Sequence, residues 1–483
     1  MAVNIAFKII KAALSVYANR ERLRFIEACK NPKKVQDQLK NKILLNSKLP
    51  FPLKAQSYQD FVGNIDNLTH EKVQFFETTS GSTGAKKRIP YTKSLLKSYE
   101  KMFVLWVHDL ITHSDLKLES GKFFMSISPK IGEQVKDDRQ YLSLALRALL
   151  SPFLVSNPSS HTAGSTDDFF QQVSLDLLNS PDLEIISIWS PSYFLSFLEF
   201  IEANKATLMQ RIDSEHIKQL LNNTAISWEK IWPKLKLISC WTEAQAKPSA
   251  QLLKNKLGQA RIQGKGLLLT EAPITIPWHA AKGNIPLLTE TYLEFLTSEG
   301  KILGITELKE GSSYTVLTSQ NNGFLRYNTL DKVKVTGFYF KTPILEFEGR
   351  TGNHSDMVGE KLSEDLIRSI VKANFFFFLV PTENPKPGYE VFVDEELFIK
   401  EPQEIENYLL KIHHYKLARD LKQLTAVKTI KIKNLSNMYR KFHLDTGIQL
   451  GDIKEKVLFS DLLEAQKFRA WIEKELLSSH QDS

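Results

Sequence analysis

Cysteine is nearly absent from this chain: Cys29 and Cys240 are the two in 483 residues. Thiols so far apart match no metal or redox spacing and exclude a disulfide framework, so a reducing, cytoplasmic setting is expected. Long hydrophobic runs are also missing. No segment is long enough to span a bilayer, and no stable membrane insertion is expected. The apolar stretch Ala6 to Tyr17 is interrupted by Lys8 and Lys11 and has no convincing cleavage site, so it does not read as a secretory signal. Its Ile5, Ile9, Ala12, Ala13 and Val16 fall on one side of an amphipathic helix. Charge of one sign is in only mild excess, +8 with the basic residues spread along the whole chain. That balance suits anionic small molecules and does not outline a nucleic-acid surface. His413-His414 has no neighbouring Cys to complete a zinc site and reads as a surface pair. Internal repeats, low-complexity tracts and any convincing Ser/His/Asp or Cys/His set are absent as well.

Against these absences, one segment is dense in chemistry: Thr78 to Thr92, TTSGSTGAKKRIPYT. Gly81 and Gly84 let the backbone lie directly against a phosphate. Ser80, Ser82 and Thr83 supply hydroxyls, and Lys86, Lys87 and Arg88 supply positive charge. Pro90 is expected to end the loop, ahead of a helical LLKSYEKMFVLWVHDL. The segment is not a Walker loop, because Gly81 is followed by STGAKK, and it contains no Gly-x-Ser-x-Gly elbow. A loop that holds the polyphosphate of a nucleotide is the physical reading. Thr79 through Lys87 resemble the phosphate loop of adenylate-forming enzymes, with Lys86 where many members carry Pro.

A chain of 483 residues suggests at least two domains. Residues 1 to about 74 look helical, with a break at Leu49 to Leu53. FFMSISP (Phe123–Pro129), LEIISIWSP (Leu183–Pro191) and LKLISCW (Leu235–Trp241) read as buried strands leaving into loops, with helices such as DDFFQQVSLDLLNS and SYFLSFLEFIEA between them. This alternation predicts an α/β sheet with ligand groups at the strand ends. From Ile285 the segments TYLEFLT, SYTVLTS, FLRYN and KVKVTGFY predict antiparallel strands joined by tight turns. The polar, Gly-containing stretch Gly349 to Glu364 is the best domain boundary. We place a large N-terminal domain at 1–352 and a small α+β domain at 353–483, the latter built on NFFFFLVP, YEVFVDEE and VKTIKIKN.

Three further constellations carry weaker signals. In LLLTEAPITIPW a Glu beside a Thr at a strand end needs a cation or donors. Glu271 is placed to hold Mg²⁺ and Thr270 a phosphate oxygen. A capping or salt-bridged Glu is the plainer reading. In FLRYNTLDKVKVTGF, Asp331 between two strand-like segments suits the hydroxyls of a ribose, although Asp is common in turns for structural reasons. In TPILEFEGR, Arg350 is placed to reach phosphate or brace a hinge.

Their order along the chain is that of adenylate-forming enzymes. More specifically, the chain resembles the Gretchen Hagen family of acyl acid amido synthetases, known from auxin- and jasmonate-conjugating plant enzymes and bacterial relatives. The resemblance rests on ETTSGSTGAKKRIPYT, SIWSPSYFLSFLE, IWPKLKLISCW, GLLLTEA, LRYNTLDKVKVTGFYFKTPILEFEGR, DMVGEKLSE and GIQLGDIK, from Phe75 to Lys454. It implies a large domain of α/β layers with a β-barrel, like that of acyl-CoA synthetases and luciferases, and a mobile C-terminal domain. It implies that a carboxylic acid attacks the α-phosphate of ATP, and that an amine or amino acid then takes the acyl group. Carried over by motif, Ser80, Gly81, Ser82, Thr83, Gly84 and Lys87 would bind phosphates, Thr270 and Glu271 phosphate and Mg²⁺, Asp331 ribose, and Arg350 the hinge. Trp241, Thr242 and Glu243 would line the acyl pocket, and Lys454 would be a catalytic lysine beside Lys87 and Glu271. A monomer is expected.

Two departures stand out. Leu267, Leu268 and Leu269 occupy the place of an adenine-stacking aromatic, and Leu330 replaces a Gly before the ribose Asp. A thioester-forming ligase using coenzyme A or a carrier protein shares the first half-reaction. A basic protein with a degenerate, non-catalytic nucleotide pocket is the reading from another class, and Leu330 is the residue that would support it.

Overall fold

The structure, a computed structural model, describes residues 2–80, 86–113, 115–125, 150–155, 166–352, 354–371, 376–383, 386–395, 403–446 and 456–479. The chain divides into two compact units, the first comprising Met1–Thr79 and Lys87–Gly349, the second including Arg350–Ser483. None of the described helices is long and apolar enough to cross a membrane.

The first unit opens with helices α1 (Ala2–Lys30) and α2 (Pro32–Asn46). Strands β1 (Val73–Ser80) and β2 (Lys86–Thr92) then pair with each other. Pro90 therefore lies inside a strand and does not terminate a loop; the presumed loop from Thr78 to Thr92 is mostly the two arms of this pair. Thr92 Oγ1 accepts the amide of Leu95 at 3.2 Å, an N-cap that starts helix α3 (Lys93–His113).

The expected α/β layer is a four-stranded parallel sheet, β3 (Phe123–Met125), β4 (Ile185–Ser187), β5 (Leu237–Cys240) and β6 (Arg261–Gly264), in sequential order. Phe123 pairs with Ile185, Ile185 with Leu237, and Leu237 with Arg261. Side chains alternate across this sheet. Phe124 faces helix α5 (Pro191–Ala203), its ring 6.2 Å from Phe194 and 6.4 Å from Phe197, and helix α4 (Thr166–Leu178) packs on α5 through Phe170 and Phe197, 4.6 Å apart. Pro191 opens α5 at a position where a missing N–H costs nothing. Phe123, Met125, Ile185 and Ser187 face the other way, towards α1 and α3.

The start of β3 is held by a buried carboxylate. Glu184 is fully buried and accepts the amides of Glu119 (2.8 Å), Ser120 (2.9 Å) and Gly121 (2.7 Å), with Lys236 Nζ at 3.0 Å. Three donors and one ammonium satisfy a charge that would otherwise be costly to bury. Gly121 takes φ +68° here, and a Cβ would meet the Phe7 ring at 2.2 Å, so only glycine fits.

Past β7 (Thr275–Trp278) and β8 (Gly283–Pro286), an antiparallel pair, comes the second layer. It contains β9 (Tyr292–Leu296), β10 (Ile302–Gly304), β11 (Ser313–Ser319), β12 (Tyr327–Tyr339) and β13 (Thr342–Arg350) in the order β10-β9-β11-β12-β13. The resemblance implied a barrel for this layer; among the described strands the hydrogen-bonded order is linear. FLRYN and KVKVTGFY are not separate strands joined by a turn. Tyr327 to Tyr339 run as one strand with a bulge, in which Thr329, Leu330 and Asp331 stand opposite Val316 alone. Buried Phe295, Val316, Val333 and Val335 anchor its core with Trp278 and Phe25.

The second unit holds the short pair β14 (His354–Ser355) and β15 (Leu362–Ser363), and a sheet in which β16 (Phe377–Thr382) runs antiparallel to β17 (Gly388–Asp394) and β18 (Lys428–Ile432) parallel to it. Phe377 and Phe378 are both buried, on opposite faces of β16. His414 departs from its reading as a surface residue. It is partly buried, and burial, with Lys361 and then His413 nearby, pushes its pKa down to about 3.

Candidate active site

The described contacts bring three distant segments to one point. Lys87 on β2 donates to the Tyr327 hydroxyl at 2.8 Å, and that hydroxyl donates to Glu271 Oε1 at 3.0 Å. Lys87 Nζ itself lies 3.9 Å from the same carboxylate oxygen. Alternation along β2 sends Lys87, Ile89 and Tyr91 to one face, and Ile89 and Tyr91 are fully buried. The Tyr327 ring is fixed by Phe324 at 5.2 Å and Phe61 at 6.2 Å. Lys87, Tyr327 and Glu271 thus form a chain of charge-assisted hydrogen bonds, nearly closed to solvent, with side chains of Lys87 and Glu271 only 13% and 11% exposed.

The strip carrying Thr270 and Glu271 is tied down by aromatic hydroxyls. Tyr91 donates to the Thr270 carbonyl at 2.8 Å and Tyr99 to the Leu269 carbonyl. Asn322 donates to the Glu271 carbonyl at 3.3 Å, and Leu267 N donates to Thr275 Oγ1 at 2.7 Å. Leu267 lies in the core with Leu269 packed against it, leaving Leu268 as the partly exposed member of the leucine triplet outside that core. Tyr327 is the residue that reading the motifs missed. It stands in LRYN, four residues before Asp331, and a Tyr starting a strand beside an acidic site was the available signal.

Asp331 is buried in the β12 bulge, not in a turn. Leu330 beside it adopts φ +65°, the left-handed conformation that glycine favours. The leucine is thus held in a strained state that a glycine would not feel, a cost of about 1–2 kcal/mol. The bulge accommodates it by local bonds: Leu330 N donates to Asn328 Oδ1 and Asp331 N to Thr329 Oγ1, each at 3.0 Å. Leu330→Gly is accordingly expected to be nearly neutral to stability although it deletes a whole side chain. Leu330→Val, a smaller change, is expected to cost about 1 kcal/mol or more, since a β-branched residue tolerates positive φ worst. Urea unfolding of the two variants orders them.

Trp241, Thr242 and Glu243 lie at the end of β5. Trp241 packs on Trp189 with ring centres 6.1 Å apart. Thr242 Oγ1 would lie 2.6 Å from a Cβ at Gly264, so the neighbouring strand must carry glycine at that point. Glu243 accepts from Asn284 Nδ2 at 3.0 Å and from the Phe347 amide at 2.7 Å, and so links β8 and β13 to this end of the sheet. Burial pushes its pKa up to about 7, partly offset by the Phe347 amide. Since the folded-state pKa lies above the ordinary 4.5, the associated stability is complete below about pH 4.5 and is lost as pH rises through about 7. Asp109, raised to about 6 by burial, slopes the same way. Thermal melts between pH 5 and 8 are expected to show Glu243→Gln losing less stability with rising pH than the parent.

Of the other aromatic residues near the strand ends, Phe124 and Phe194 are fully buried core, whereas Trp189 and Trp241 stay partly exposed. Arg350 belongs to the second unit, where its charge, after that of Lys361, offsets the burial that raises the pKa of Asp356. Gly81, Ser82, Thr83, Gly84 and Lys454 lie outside the described residues, as does the side chain of Ser80.

The fold is that of adenylate-forming enzymes. The acyl acid amido synthetase AtGH3.15 in complex with 2,4-DB superposes with a TM-score of 0.61 over 93% of this chain and 95% of that chain, at 17% identity. A 2-hydroxyisobutyryl-CoA ligase in complex with 2-HIB-AMP and CoA gives 0.52 over 98% and 93%, at 11% identity. Residues 61–228 match the GH3 family N-terminal domain and residues 285–350 the GH3 family central domain. A probable indole-3-acetic acid-amido synthetase, GH3.7, of Oryza sativa subsp. japonica is 32% identical over 87 residues, 18% of this chain and 14% of that relative's length.

Proposed function

We propose that this protein is an ATP-dependent acyl acid amido synthetase. In the first step a carboxylate oxygen attacks the α-phosphorus of ATP and the bond to pyrophosphate breaks, leaving an acyl-adenylate. In the second an amine nitrogen, of an amino acid for example, attacks the acyl carbon, the acyl–oxygen bond to AMP breaks, and the amine gives up a proton. The observation that carries this reading is the Lys87–Tyr327–Glu271 chain. It unites the phosphate-loop lysine with the Thr270–Glu271 strip, two segments far apart in sequence that have to meet if both serve one triphosphate.

Both reactants of the first step are anions. Lys87 supplies positive charge where that repulsion and the developing charge must be offset. A magnesium ion would add Lewis acidity on phosphate oxygens. Glu271 is a reasonable protein ligand for it: one carboxylate plus phosphate oxygens is a usual Mg²⁺ set, and among the described residues no group of three His, Cys, Asp or Glu offers an alternative. In this reading Asp331 holds the ribose, residues 1–352 form the adenylation domain, and 353–483 form a mobile domain that carries Lys454.

Release of pyrophosphate and AMP, dependent on a carboxylic acid and with an amide as product, tests the proposal. ADP and phosphate as products would overturn it, because they require attack at the γ-phosphate. Coenzyme A replacing the amine would make the protein a thioester-forming ligase. Lys454→Ala is expected to slow pyrophosphate exchange more than it weakens ATP binding, as for an interaction made chiefly in the transition state. Unchanged exchange rates would make Lys454 a solvated surface lysine.

A further inference from the structure

Between α1, α3 and the parallel sheet lies an apolar cavity of about 70 Å³. Its walls include Phe103, Trp106 and Val107 from α3, and Phe123, Met125 and Ile185 from the sheet, with Phe7 of α1 closing one side. Ser187, the last residue of β4, brings a hydroxyl to it. Directly there, Lys265 Nζ donates to Ser187 Oγ at 2.8 Å. The same ammonium stands 5.0 Å from the Trp189 ring centre and 5.8 Å from that of Trp106, whose Nε1 donates to Gln263 Oε1 at 2.9 Å.

Three features of this arrangement are not needed for packing. Lys265 follows β6, so its charge sits at the carboxyl ends of parallel strands, where ligands bind in open α/β sheets. The ammonium lies against two indole faces, which hold a cation while leaving it less hydrated. Lys11 of α1 also lines the cavity, which is otherwise almost wholly apolar; a cation and a hydroxyl together at the sheet end of such a cavity are the layout of a site for an amphiphile with an anionic head.

We propose that Lys265, with Ser187, holds the carboxylate of the acyl acid, and that the cavity behind it receives the acid's uncharged apolar end. The inference rests on the adenylation reading above and narrows its substrate class. The acid carries one carboxylate and a short apolar chain. The cavity's volume, about 70 Å³, bounds the length of that chain. Lys265 acts here as a binding and positioning residue, and α1 serves as a wall of the acid site.

The test is calorimetric titration of the full-length protein, with a non-hydrolysable ATP analogue present, using acetate, butanoate, hexanoate and hexylamine. Affinity is expected to rise about fourfold per methylene from acetate to hexanoate, the gain for burying each CH₂, with no binding of hexylamine. Lys265→Gln should weaken hexanoate at least tenfold, and Lys265→Arg should recover part of that loss. Val107→Phe should flatten the chain-length series while leaving acetate unchanged. Should that variant melt early, Val107→Ala should instead extend the series to longer acids. Absence of hexanoate binding, equal binding of hexylamine, or an unchanged Lys265→Gln each overturns the proposal. Acid-dependent pyrophosphate exchange run in parallel separates the two readings. Acid binding without exchange would leave the site standing and remove the adenylation reading, whereas exchange that ignores Lys265 and Val107 would do the reverse.

Discussion

Lys87→Ala is expected to lower acid-dependent pyrophosphate exchange by about 10²–10³-fold, the usual effect of removing one preorganised donor from a developing charge, about 3–4 kcal/mol. Glu271→Gln should act in the same direction. The two side chains reach each other through Tyr327, so their effects are not independent. The double variant should fall well short of the product of the single losses. Tyr327 still bonds whichever partner remains, so thermal melts should show both variants folded. A variant that lost its thermal transition yet kept full specific activity in the folded fraction would mark its residue as structural. Tyr327→Phe is the informative companion: it keeps the ring packing on Phe61 and Phe324 while cutting both hydrogen bonds.

The largest effect on stability is expected at Arg326. Its guanidinium pairs bidentately with Glu294, Nε to Oε2 at 2.8 Å and Nη2 to Oε1 at 2.6 Å, while Nη1 donates to the carbonyls of Pro52 at 2.8 Å and Leu53 at 2.7 Å. Side-chain exposure is 13% for Arg326 and 8% for Glu294. Arg326→Ala removes one member of a nearly buried pair and leaves a carboxylate without its counter-charge, a loss of about 3–5 kcal/mol. Arg326→Lys should fall between, because an ammonium does not reproduce the fork. Six of the seven tryptophans lie in the first unit, so urea unfolding followed by tryptophan fluorescence reports chiefly on the unit that contains this pair. A shift below about 1 kcal/mol would show that water compensates the carboxylate.

The α/β layer was legible because its strands are short apolar runs that leave into Ser-Pro or Trp-containing loops, and β4 and β5 appear within LEIISIWSP and LKLISCW. Buried parallel strands carry that pattern openly. Two local features were not legible. KRIPYT looked like the exit of a loop because Pro90 was expected to end it, but pairing with β1 overrides that local preference. Asp331 looked like a turn residue because it lies between two strand-like segments; the chain absorbs it as part of a bulge in a continuous strand, a choice set by pairing with β11. In the site, motif reading found Lys87 and Glu271 but not the hydroxyl that joins them, since a tyrosine's partners depend on tertiary placement. Lys265 was passed over for a related reason: within QGKG it reads as part of a turn, and only the fold sets it beside Ser187 and two indoles.

The carboxylate that organises the start of β3 also bears on how this chain is made. Residues 119–121 receive their hydrogen-bond acceptor from a side chain 63 to 65 positions further on. At ordinary elongation rates of about 5–20 residues per second, the ribosome needs roughly 3–13 s to deliver Glu184 after those amides have been synthesised. Strand β4, the sheet neighbour of β3, arrives with it. Until then Phe123, Phe124 and Met125 form an apolar strand without an anchored start, paired at most through Phe123 to Leu154 and Val155, the kind of segment that nascent-chain chaperones bind. Glu184→Gln should therefore depress soluble yield during synthesis more than it depresses refolding of the complete chain, in which acceptor and donors are present together from the outset.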